Sequence, residues 1–78
     1  MKLPRDVDAD RLIRVLARYG YSVSRQVGSH IRLTRQDGSH NVTIPNHNPI
    51  KIGTLQKIIK DVCSANGLDV SEIVMKLE

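Results

Sequence analysis

Apolar positions recur every three to four residues near the amino terminus, where Leu12, Val15, Leu16 and Tyr19 follow the i, i+3, i+4, i+7 spacing of one helix face. Asp6, Asp8 and Asp10 crowd the start of this run, where carboxylates cap free amides and favour the positive helix end, so a helix is expected from about Asp8 with Gly20 as its stop. From Tyr21 the period drops to two. Val23 and Val27 alternate with Ser22, Ser24 and Gln26, which predicts a half-buried strand with both valines inward. After Gly28 and Ser29, Ile31 and Leu33 alternate with His30, Arg32 and Thr34, placing His30 and Arg32 on the polar face of a second strand. Asp37-Gly38 supplies a tight turn, and Val42 and Ile44 continue the inward pattern until Pro45 ends the third strand.

Residues 46–53 read as a loop, with Thr54 expected to cap the next helix. Leu55, Ile58, Ile59 and Val62 carry that helix's core stripe, Lys57 and Lys60 lie outside it, and Asn66-Gly67 gives a left-handed stop. Asp69 is placed to cap a last helix whose Val70, Ile73, Val74 and Leu77 again have core spacing, so that it docks. The order is αβββαα. This predicts an α+β fold of two layers, a three-stranded antiparallel meander with the first two helices on one face and a polar, accessible opposite face. No repeat or linker divides residues 1–78, which are read as a single domain.

A chain of 78 residues buries only about two-thirds of its unfolded surface, which disfavours a large catalytic cleft. Twelve Lys and Arg against eight Asp and Glu give a net charge of +4, which favours a polyanionic partner. The lone Cys63 excludes an internal disulfide and a multi-thiolate metal site, and is read as packing. No run approaches the roughly 20 apolar residues of a membrane span, and the start lacks an apolar signal core, so a cytoplasmic location without membrane attachment is expected. No HExxH, Walker or dinucleotide glycine loop occurs, so neither metal nor nucleotide cofactor is expected.

The chemistry then falls to three histidines and the basic residues. Adjacent strand side chains point apart, which argues against Ser29 and His30 as a nucleophile and base pair. His30 is more useful as a single proton-transfer group, since imidazole as a class titrates near neutrality. RNA suits that economy, because its 2′-hydroxyl is an internal nucleophile and the protein need only orient the backbone, move a proton and stabilise phosphoryl charge. Arg32, two residues along the same face, can hold phosphate. Arg25 and Arg35 need a different local geometry to join it. Gly28 and Ser29 can offer backbone amides, and Arg11, Arg14 and Arg18 form a row for solvent or a phosphate backbone. His47 and Lys51 are secondary candidates. His40 repeats the Gly-Ser-His triplet of residues 28–30, and strict alternation from Val42 turns it inward, towards a structural role. With Tyr19 and Tyr21 the only aromatic residues, RNA binding leans on phosphate contacts more than on base stacking.

Four segments resemble the HicA, or YcfA-like, toxin family of bacterial type II toxin–antitoxin systems. They are Leu16-Ala-Arg-Tyr-Gly-Tyr21, Arg25-Gln-Val-Gly-Ser-His30, Val42-Thr-Ile-Pro-Asn-His47 and Lys51-Ile-Gly-Thr-Leu-Gln-Lys-Ile-Ile59. The resemblance spans about residues 8–62 and leaves 67–78 as a carboxy-terminal extension. It implies a double-stranded-RNA-binding-domain-like αβββα fold. It also implies metal-independent endonucleolytic cleavage of messenger RNA, with the histidine of Gly-Ser-His, here His30, in the catalytic role. Translation is inhibited as a result. A HicB-type antitoxin is the implied protein partner, and operator DNA is reached only through it. The alternatives are a non-catalytic double-stranded-RNA-binding module, which would share charge and fold, and a small protein-interaction domain with a basic face.

Overall fold

In the computed structural model, which describes residues 2–78, the Asp8 side chain accepts a hydrogen bond from the Arg11 amide (2.8 Å) and opens helix α1, Ala9–Ala17. The helix buries Leu12, Val15 and Leu16, as the stripe predicts, and Ala9 with them, while Tyr19, the stripe's last member, lies beyond the helix end and is partly buried. The helix ends three residues before Gly20. That glycine, at φ 89°, closes the turn into the sheet, and its carbonyl accepts from the Gln36 amide (2.7 Å).

Strands β1 (Tyr21–Val27), β2 (His30–Arg35) and β3 (Asn41–Pro45) form an antiparallel sheet in the order β1-β2-β3. Cross-strand partners share a face, so the register divides the side chains cleanly. Leu33 lies between Val23 and Val42, and Ile31 between Gln26 and Ile44, on the inner face. His30 lies between Val27 and Pro45, Arg32 between Arg25 and Thr43, and Thr34 between Ser22 and Asn41, on the outer face.

The first strand departs from its expected burial. A β-bulge between Val23 and Arg25 inserts one residue and inverts the alternation beyond it. Val27 is thereby turned outward, beside His30. Val23 keeps the inner parity, yet the helical layer does not cover the edge strand there and leaves it half exposed. Only Tyr21 of β1 is buried.

Helix α2 spans Ile52–Asn66 and α3 spans Val70–Leu77. α2 starts two residues before Thr54, which lies inside its first turn and does not cap it. The boundary is set by extended backbone at Lys51, whose carbonyl accepts from the Leu55 amide (2.8 Å), just after the buried Ile50, which is tied to the Val7 carbonyl (2.8 Å). Leu55, Ile58, Ile59, Val62 and Cys63 are buried, and Gly67 ends the helix at φ 64°. Asp69 caps α3, accepting from the amide and hydroxyl of Ser71, which hold its carboxyl below the usual range.

α1 packs over β1, α2 over β3, and α3 docks against both helices through Ile73, Val74 and Leu77. All three helices therefore lie on the inner face, and the outer face is left open. No helix among the described residues is long and apolar enough to cross a membrane.

Candidate active site

The Gly28-Ser29 turn joins β1 to β2 with positive φ at Gly28 alone (58°), the pattern of a type II′ hairpin that requires glycine at its first central position. A side chain there would meet nothing within 4 Å, so the turn stands open to solvent. His30 follows directly, exposed on the central strand, flanked in register by Val27 and Pro45. Arg32 is the next outer-face residue of β2, about 7 Å further along the strand.

The bulge supplies the local geometry that Arg25 needs. It pairs Arg25 directly with Arg32, so two arginines occupy opposite outer-face positions one step along the sheet from His30. The Ser24 hydroxyl, at the bulge, donates to the Arg32 carbonyl (3.3 Å) and accepts from the Thr34 hydroxyl (2.8 Å), which fixes the bulge against β2. Arg35 takes no part in this face. It has the inner parity of Leu33 and lies 4.0 Å from the Asp37 carboxylate.

His47 reaches the same end of the sheet. The amide of its neighbour Asn46 donates to the Ser29 carbonyl (2.6 Å), and its own amide to that of Pro45 (2.8 Å), which carries the loop along the Gly28-Ser29 turn. Lys51 stands exposed at the start of α2.

The arginine row is elsewhere. The spacing of Arg11, Arg14 and Arg18 offered a row for solvent or a phosphate backbone, but α1 lies on the inner side of the sheet, so the row belongs to the opposite layer from His30 and does not extend its face. Those arginines line a groove with Lys76 of α3.

His40 has a bracing geometry. Its Nδ1 shares a hydrogen bond with the buried Tyr21 hydroxyl (2.7 Å), and its Nε2 donates to Asp61 (3.2 Å); Asn66 Nδ2 completes the set by donating to the Tyr21 oxygen (2.9 Å) and the Val62 carbonyl (2.7 Å). With a side chain only 16% exposed, His40 ties β1, the β2–β3 turn and α2 together beneath the sheet. Replacing Tyr21 with Phe keeps the ring and strands these polar partners, at a cost of about 1–2 kcal/mol. A lower urea midpoint for Tyr21→Phe is expected, and an unchanged midpoint would show that these bonds do not brace the fold.

Cys63 is buried, and that burial, reinforced by Asp69 and Glu72, pushes its thiol up and away from reactivity. Among the described residues no group of three or more His, Cys, Asp or Glu side chains is arranged to hold a metal ion.

Fold and outer face together define a double-stranded-RNA-binding-domain-like α+β module that carries a histidine and paired arginines on an open sheet. The family model described as the HicA toxin of bacterial toxin–antitoxin systems matches residues 9–62, more than half of the chain, and the chain belongs to that family. Membership supports the general role of a messenger-RNA-interfering toxin. Comparison with curated proteins and with solved structures gives no match. The matched segment ends within α2, so α3 lies outside it.

Proposed function

We propose that the outer sheet face cleaves messenger RNA endonucleolytically, with His30 as the proton-transfer residue and Arg32 as the principal phosphate ligand. The observation that carries this reading is the register that sets exposed His30 one step from the Arg25–Arg32 pair. The scissile phosphate lies between imidazole and guanidinium groups, with Gly28 and Ser29 bordering it at the open turn. The 2′-hydroxyl of the RNA attacks phosphorus, and the 5′-oxygen of the next nucleotide leaves. His30 acts on one of the two proton transfers, taking the hydroxyl proton or giving one to the departing oxygen. The two arginines stabilise charge gathering on the non-bridging oxygens. The products are a 2′,3′-cyclic phosphate and a 5′-hydroxyl, and the route has no obligatory metal.

Loss of intact messages stops translation. A HicB-type antitoxin neutralises the chain by covering the His30 face, and operator DNA is engaged only through that antitoxin. The test is incubation of purified, antitoxin-free protein with end-labelled single-stranded RNA in EDTA, with binding followed in parallel. Binding with cleavage is expected. Binding without cleavage would select the non-catalytic RNA-binding module, and absence of both would select a protein-interaction domain.

A further inference from the structure

We propose that the groove between α1 and α3 is a second RNA-backbone site, separate from the His30 face and built in part by an element outside the family-matched residues. The proposal rests on the RNA reading above for its ligand class, while its geometry stands independently. Arg11, Arg14 and Arg18 run along about 10 Å of one side of α1, and Lys76 faces them from α3 across a groove of about 220 Å³.

Three observations point to phosphate. Among the described residues, none of the three guanidinium groups lies within ion-pair distance of a carboxylate, so their charge is uncommitted. The opposite wall is held in place: the Tyr19 hydroxyl donates to Glu72 (2.6 Å), and Lys76 Nζ lies 3.9 Å from Glu72 and 5.5 Å from the centre of the Tyr19 ring. That brace engages the Glu72 carboxylate with both Tyr19 and Lys76. Finally, among the described residues the only apolar one lining the groove is Val15, which is 6% exposed. A protein partner needs an apolar centre for its interface, whereas a nucleic-acid backbone needs only placed cations. The groove has the cations and lacks the apolar centre.

The two surfaces lie on opposite layers of a molecule whose smallest extent is 17 Å between Cα atoms. An RNA held in the groove therefore has to pass round the edge of the domain to reach His30. Long transcripts engage both sites and short oligonucleotides only one.

The test compares a groove variant, Arg14→Gln/Arg18→Gln/Lys76→Gln, with a control that removes the same charge from exposed positions elsewhere, Arg5→Gln/Lys57→Gln/Lys60→Gln. Binding to a long single-stranded transcript is measured across a salt series, and turnover of a short oligoribonucleotide reports the His30 face. Each lost phosphate contact lowers the salt slope by about 0.7, so the groove variant should lose about 2 in slope and about 100-fold in affinity at 0.1 M salt. The control should keep its slope, and both variants should cut the short substrate at the wild-type maximal rate. An unchanged slope in the groove variant, or equal losses in both, overturns the proposal. So does intact RNA affinity with lost binding of an acidic protein. If the wild type binds RNA without cutting it, the His30 reading falls, and the salt slopes still decide the groove.

Discussion

His30→Ala is expected to lower single-turnover cleavage of RNA by about 10²- to 10⁴-fold, the range that one positioned proton-transfer group supplies. The loss should be almost purely chemical. His30 is exposed, makes no side-chain hydrogen bond among the described residues, and sits outside the core, so the variant should melt with the wild type. The other histidines provide contrast. His40→Ala removes the link between Tyr21 and Asp61 and should destabilise the fold while sparing the rate of the folded fraction. His47→Ala, in the loop beside the same turn, should retain most of the rate. Thermal melts and single-turnover rates of the three variants separate these roles, and a larger kinetic loss at His47 than at His30 would move the proton transfer to the loop.

Arg32→Gln is expected to lower kcat/KM by at least about 100-fold, the usual cost of one charge-stabilising donor aimed at a transition state. Arg25→Gln should have a smaller kinetic effect and an opposite effect on stability. Like charges directly opposite in an antiparallel pair are destabilising, and the Arg25–Arg32 pair is such an arrangement. An anion between the two groups relieves it. Arg25→Gln should therefore raise the urea midpoint of the free protein while weakening RNA cleavage. Added RNA or phosphate should stabilise the wild type more than the variant. If Arg25→Gln destabilises the free chain and leaves cleavage unchanged, the paired arginines are not a phosphate site.

Much of this was legible in the sequence, because helix and strand periods are strong signals when one face is buried. The stripes through Leu12–Tyr19, Leu55–Val62 and Val70–Leu77 gave three helices, and Ile31, Leu33, Val42 and Ile44 gave two strands with their faces. His30 and Arg32 followed as outer-face residues by alternation alone. The bulge did not. One extra residue between Val23 and Arg25 shifts parity without changing composition, so Val27 read as core and Arg25 as misplaced. Thr54 read as a cap because its side chain is suitable, whereas the helix boundary follows the backbone at Lys51 and the anchored Ile50 before it. The arginine row was visible on α1, but helical spacing identifies a face and not the layer it belongs to. The partners of His40 were hidden because Asp61 is 21 residues away, and only the packing of α2 brings it near.

The most direct measurement is a single-turnover digestion in EDTA of two end-labelled single-stranded RNAs, identical except for a 2′-deoxynucleotide on the 5′ side of the cleaved bond. The all-ribose strand should be cut by the wild-type chain to a 2′,3′-cyclic phosphate and a 5′-hydroxyl, and the deoxy-substituted strand should resist at that position. Cutting of both strands, with linear products bearing 5′-phosphate ends, would contradict attack by the RNA's own hydroxyl under the control of His30.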